Sequence, residues 1–168
     1  MELRIAGTIK ESVVDGPGLR FVVFAQGCKH ACKGCHNPET WDPLGGTVVA
    51  VEDLLGQIKA EKLIRGVTFS GGEPFLQSAP LAWLGREVKK LGLDLITFTG
   101  STWERLLELA QEDRAVGDLL RVTDYLVDGP FILAERDLEL AFRGSRNQRI
   151  IEVAKSLEEG TVIEAGFA

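Results

Sequence analysis

The stretch Leu19–Ala25 (LRFVVFA) is apolar almost without interruption. A strand with one face in water alternates apolar and polar residues. An unbroken apolar run predicts a strand buried on both faces, as in the interior of a parallel sheet. Parallel strands need crossover connections, usually helices. The chain supplies them in order. Gly66–Ser70, Asp94–Thr99 and Asp124–Asp128 read as further strands. Val51–Ile64 has Val51, Leu54, Leu55 and Ile58 at helical spacing. Ser78–Leu91 is a second predicted helix, with Ser78 as N-cap, Pro80 in its first turn, Gly92 as its stop and a buried stripe of Leu81, Leu84, Val88 and Leu91. A third opens at Ser101-Thr102-Trp103-Glu104, which has capping-box spacing, and runs to about Glu112. Leu3–Ile9 and Thr47–Val49 read as short strands, Ala134–Leu140 as a short helix, and Arg149–Val153 and Thr161–Glu164 as closing strands.

This alternation predicts an α/β fold, and a doubly wound sheet and an α/β barrel both fit it. A full eight-unit barrel takes about 250 residues. The 168 residues here suit one domain, 1–168, built as an open, incomplete (β/α) barrel with a parallel sheet. Net charge of −6 argues against binding the phosphate backbone of nucleic acid. No apolar run approaches the roughly 20 residues of a membrane span, and the N-terminus lacks a signal-peptide pattern. All three cysteines fall in one loop, Gly27–Trp41, which does not make a disulfide framework. A reducing, bacterial-type cytoplasm is therefore expected.

Three thiols at Cys28, Cys32 and Cys35 read as one metal site. A structural zinc normally takes four ligands, so it would need His30 or His36 as the fourth. A four-iron cluster held by three cysteines keeps one iron without a protein ligand, open to a substrate. Seen alone, Gly71-Gly72-Glu73-Pro74, Thr99-Gly100 and Asp128-Gly129-Pro130 are turn chemistry. They share a place with the cysteines, since all lie at C-terminal ends of predicted strands, where parallel α/β folds build their sites.

The ordered set of motifs resembles the radical S-adenosylmethionine (SAM) superfamily. Cys28-x-x-x-Cys32-x-x-Cys35 is similar to its cluster motif, and Ser70-Gly71-Gly72-Glu73-Pro74 to its motif for the SAM amino group. Asp15-Gly16-Pro17-Gly18-Leu19-Arg20 resembles the signature of glycyl-radical-enzyme activases. Cys35–Trp41, Val127–Phe131 and Phe142–Arg149 look more narrowly like activators of the anaerobic ribonucleoside-triphosphate reductase. The matching segments run from about residue 15 to 150.

The resemblance implies a [4Fe-4S] cluster on Cys28, Cys32 and Cys35, with SAM chelating the free iron. Reductive cleavage of SAM would yield methionine and a 5′-deoxyadenosyl radical, which takes hydrogen from a glycine of the reductase large subunit. It further implies SAM contacts from Gly71, Gly72, Glu73, Thr99, Asp128, Ser145, Asn147 and Arg149. Asp128 would meet the ribose, the amino acid moiety or a cation. A surface containing Asp15, Gly16, Gly18 and Arg20 would receive the partner's glycine loop. Gly34 departs from the wider superfamily, where an aromatic often precedes the last cysteine. No cysteine-rich insert follows Trp41, so an outside donor such as a flavodoxin would reduce the single cluster. Trp41, Trp83 and Trp103 are expected to pack. Activation of another glycyl radical enzyme, radical chemistry on a small molecule such as a pterin-derived base, and a non-enzymatic zinc-binding interaction module are the competing readings.

Overall fold

The computed structural model describes residues 1–167. Seven strands form one sheet: β1 (Glu2–Ser12), β2 (Arg20–Ala25), β3 (Thr47–Ala50), β4 (Gly66–Gly71), β5 (Asp94–Phe98), β6 (Tyr125–Asp128) and β7 (Arg149–Glu152). Their order across the sheet is β3-β1-β2-β4-β5-β6-β7. The margins, β3 and β7, do not pair, so the sheet is open as expected. Parallel pairing is confined to β2, β4, β5 and β6. β1, β3 and β7 pair antiparallel and flank the central parallel strands of the open sheet. The connections explain this. Residues 13–19 between β1 and β2, and the segment between β6 and β7, contain no α-helix to carry the chain back across the sheet.

Five helices accompany the strands: α1 (Val51–Ala60), α2 (Ser78–Lys90), α3 (Trp103–Glu112), α4 (Arg114–Val122) and α5 (Val153–Glu159). Two of these, α4 and α5, are additions to the sequence reading. Asp113 separates α3 from α4 without a loop: its N–H bonds Leu109 O at 2.9 Å, and its carboxylate accepts from Ala115 N at 3.0 Å. Thr161–Glu164 forms only an isolated bridge to β7, through Glu164 and Ile151. Leu133–Glu135 makes one 3-10 turn where a short helix was expected. Ser78 opens α2 rather than capping it, because its hydroxyl donates back to Phe75 O at 2.8 Å. Leu91 is 41% exposed, outside the stripe that buries Leu81, Leu84 and Val88. Among the described residues no helix is long and apolar enough to cross a membrane.

Strand alternation divides the apolar residues between two faces. Phe21, Val23, Val67, Phe69, Leu95, Leu126 and Ile151 join the buried stripes of the five helices in one core. Ile96, Val127 and Ile150, one residue away on the same strands, form a smaller cluster with Ala165, flanked by Phe98, Tyr125 and Phe142. Phe167 packs edge-on against Tyr125, with ring centroids 5.0 Å apart.

Arg20 belongs to this second face and is fully buried. Its guanidinium donates to Thr68 Oγ1 at 2.8 Å, Pro17 O at 3.0 Å and Val67 O at 2.9 Å, and it pairs with Asp94. Thr68 passes the contact on, donating to Asp15 O at 2.9 Å. The 15–18 turn is thereby drawn onto the sheet.

At the other end of β2 the cysteine loop departs beside β4. Gly72 N donates to Ala25 O at 2.8 Å and Glu73 N to Gly27 O at 2.7 Å, which continues the pairing beyond the strands. A Cβ at Gly72 would lie 2.4 Å from Gly27 O, so the two backbones approach this closely only with glycine there.

Two substitutions test these constraints. Arg20→Met should lower the unfolding free energy by about 3 kcal/mol in urea titrations, because buried acceptors lose their donors. Gly72→Ala should cost about 1–3 kcal/mol by overpacking and also speed alkylation of the three cysteines, since the loop must shift to admit the methyl group.

Candidate functional site

The cysteine loop is closed at its neck. Gly27 N donates to Thr40 O at 2.6 Å and Cys28 N to Trp41 O at 3.1 Å. Gln26 Nε2 donates to Glu39 O at 3.0 Å and Asp42 O at 2.8 Å. Within the loop, Cys35 N bonds Cys32 O at 3.0 Å, and Asn37 N donates to Cys35 Sγ at 3.4 Å. All three cysteines are free thiols, half-buried, and border one cavity of about 400 Å³. That volume lies within the usual range for small-molecule sites.

The cavity collects much of what the motifs suggested. Gly71, Gly72, Thr99 and Asp15 border it together with the cysteines. Gly16 is buried beneath Asp15, with Ile96 and the Arg20 side chain at its Cα. Gly18 is exposed, against Arg65. Arg20 itself has no surface to offer, and the expectation that it faces a partner is corrected to one of support from below.

Glu73 is 4% exposed and does not border the cavity. Its carboxylate is occupied by protein donors: His30 Nε2 at 2.7 Å, Thr99 Oγ1 at 2.8 Å and Gly100 N at 2.9 Å on Oε1, and Phe75 N at 3.0 Å on Oε2. The hydrogen bond to Glu73 raises the His30 pKa above the ordinary imidazole value, against the opposing effect of desolvation. Burial pushes the Cys28 thiol up, with the Glu73 charge adding to it. A metal bound through Cys28 at neutral pH therefore displaces a proton.

Asp128, Ser145, Asn147 and Arg149 are engaged by protein partners. Asp128 is buried at the start of α3, where Oδ2 accepts from Trp103 N at 2.8 Å. It also binds Arg149, whose N–H groups meet it at 2.6 and 3.1 Å. A carboxylate satisfied by a helix N-terminus and a guanidinium has its partners within the fold. Arg149 also donates to Glu104 at 2.8 Å, and these two carboxylates raise its pKa. Ser145 is fully buried, its hydroxyl donating to Asn147 Oδ1 at 2.6 Å. Asn147 donates to Pro130 O at 2.8 Å. Asp128, Ser145, Asn147 and Arg149 thus organise the segment after β6 without bordering the cavity.

Other residues take their place on the wall: His30, His36, Phe98, Phe131, Phe142 and Gln148. Phe131 answers the absence of an aromatic at Gly34. A Cβ at Gly34 would lie 3.3 Å from the Phe131 ring, and His36 packs on that ring with centroids 5.2 Å apart. The aromatic group therefore comes from a different loop. Trp103 is buried and Trp83 packs at the core edge, whereas Trp41 is half-buried at the loop neck.

The thiols fit an iron–sulfur cluster. They face one space, one sulfur receives a backbone N–H, and such hydrogen bonds tune cluster sulfurs.

Comparison with known proteins agrees. Residues 14–151 match the family described as 4Fe-4S single cluster domain. The chain is similar to the pyruvate formate-lyase 1-activating enzyme of Escherichia coli (strain K12), with 36% identity over 154 residues, 89% of this chain and 60% of that protein. It thus spans about 60% of the length of that relative. It is also similar to the anaerobic ribonucleoside-triphosphate reductase-activating proteins of Haemophilus influenzae and Vibrio cholerae, each 36% identical and covering 82% of this chain and 90% of the relative. Among solved structures, QueE from Escherichia coli aligns with a TM-score of 0.49 and 23% identity, covering 61% of this chain and 54% of that one. The half-buried cysteine triad, the matched family and these relatives agree: the chain belongs to the 4Fe-4S single cluster domain family, alongside the anaerobic ribonucleoside-triphosphate reductase-activating proteins.

Proposed function

We propose that this chain is a radical SAM enzyme that activates an anaerobic ribonucleoside-triphosphate reductase. The observation that carries the reading is the meeting of Cys28, Cys32 and Cys35 with Gly71, Gly72 and Asp15 around one cavity. Cys28, Cys32 and Cys35 would hold a [4Fe-4S] cluster and leave one iron without a protein ligand. The chemistry supplied there would be one-electron reduction of the SAM sulfonium, to give methionine and a 5′-deoxyadenosyl radical able to take a hydrogen atom from a glycine of the reductase large subunit.

The protein's part is to bind, orient and exclude. Gly71 and Gly72 bring backbone to the cavity without side chains in the way. Thr99 supplies a polar edge beside them, while Phe98, Phe131 and Phe142 give an apolar wall that limits water around a reactive radical. Glu73 holds Thr99 and Gly100 in place. Asp15 stands at the cavity where a partner's glycine loop would enter, and the Asp128–Arg149 pair holds the segment that forms the far wall. The protein acts in the cytoplasm, without nucleic acid or membrane, and a flavodoxin-type donor reduces the cluster.

The reductase is preferred over pyruvate formate-lyase as the partner on the segments Cys35–Trp41, Val127–Phe131 and Phe142–Arg149, which resemble the reductase activators.

Anaerobically reconstituted protein, mixed with reductant, SAM and the reductase large subunit, should give a glycyl-type doublet in electron paramagnetic resonance. Changing any one of the three cysteines to Ala should abolish it, with iron and sulfide falling from near four of each per chain. Deuterium placed on the partner glycine should appear in 5′-deoxyadenosine. Cleavage of SAM without a doublet would redirect the activity to another substrate. Zinc retained in place of iron would mean a binding module.

A further inference from the structure

His30 lies between the first two cysteines, yet its side chain reaches the ends of two other strands. Its Nε2 is 2.7 Å from Glu73 Oε1, the oxygen that also accepts from Thr99 Oγ1 and Gly100 N. A carboxylate surrounded by donors accepts from all of them, so Nε2 carries the hydrogen in this contact. The ring also rests on Gly100, where an ideal Cβ would lie 2.4 Å from its Cδ2. The next residue, Ala31, has φ +47°, a backbone conformation that non-glycine residues seldom keep unless their surroundings hold them.

We propose that His30 is the positioning residue of the cluster loop: its hydrogen bond to Glu73 and its seat on Gly100 clamp the Cys28–Cys32 segment to the ends of β4 and β5. The thiols are thereby presented to the cavity before iron is bound. Glu73 acts through His30, which explains why a motif glutamate sits behind the cavity wall instead of in it. The inference rests on the reading that the three cysteines hold a cluster, and it extends that reading to a residue outside the ligand set.

The test compares His30→Ala, His30→Gln and Gly100→Ala with the parent protein. In reconstituted protein, iron loss to a ferrous chelator should be about tenfold faster in His30→Ala, the scale of effect seen when a group supporting a metal ligand is removed. In metal-free protein, iodoacetamide should alkylate Cys28 and Cys32 several-fold faster, as read by mass spectrometry. His30→Gln, whose amide can donate to Glu73, should recover much of both rates. Gly100→Ala should reproduce the His30→Ala defects by displacing the ring. Thermal unfolding checks that each variant is folded. Parent-like rates in His30→Ala, or defects that His30→Gln shares in full, overturn the proposal. If the parent binds no cluster, the functional reading fails separately, and the alkylation rates still decide the role of His30.

Discussion

The site depends on two backbone hydrogen bonds that run past the ends of β2 and β4, Gly72 N to Ala25 O and Glu73 N to Gly27 O. They make the cysteine loop and the glycine turn leave the sheet as one unit. A parallel ladder ordinarily ends where its strands separate toward their own helices. Here the ladder continues by two more contacts, and the absence of a side chain at Gly72 permits it. Glu73 then follows at a fixed distance from the loop and can meet His30. The loop neck at Gly27–Thr40 and Cys28–Trp41 adds closure but would not by itself orient the loop over β4 and β5.

Two cations, Arg20 fully buried and Arg149 half-buried, bracket this arrangement. Arg20, inside the sheet face, gathers Thr68, Pro17, Val67 and Asp94. Arg149 gathers Asp128 and Glu104. Burying such charges is costly unless most donors are used, and an arginine's planar fork is suited to using them. Each cation ties a connection without an α-helix to the sheet: the 15–18 turn in one case, the return from β6 to β7 in the other. These connections lack the apolar stripe with which a helix docks. Directed polar bonds take over that task.

The difference between what was legible in the sequence and what was not follows the same division. Apolar period and glycine punctuation located the four parallel strands, α2, α3 and the start of α1 closely, because burial dictates both spacing and side-chain direction, whereas α1 ends at Ala60, short of the expected Ile64. α4 was not seen since Asp113 ends one helix and caps the next, leaving no loop as a boundary signal. α5 begins directly at the end of β7, where Val153 reads as more strand. Polar residues were harder for a different reason. Arg20, Asp128, Ser145 and Arg149 occur where a ligand-facing group would occur, but residue type at a strand end does not say which way a side chain turns. Asp128 turns to the free N–H groups of α3, a need created only once α3 packs there.

The cysteine turns are held by two anchors of unlike chemistry, and these have different consequences. At the Cys32–Cys35 turn, Phe131 packs over Gly34 and against His36. Loss of that contact exposes apolar surface, and the neighbouring side chains can relax into part of the space. At the Cys28–Cys32 turn, His30 meets a carboxylate that is nearly excluded from water and already serves three other donors. Loss of this contact removes one of the donors that compensate a buried charge. The polar anchor acts on the segment where Cys28 is raised by desolvation and by the same Glu73 charge that His30 engages. With His30 hydrogen-bonded to it, Glu73 orders the loop while the imidazole offsets part of its charge beside the thiol. One glutamate at the end of β4 thus serves the loop, the end of β5 and the electrostatics of the first cysteine together.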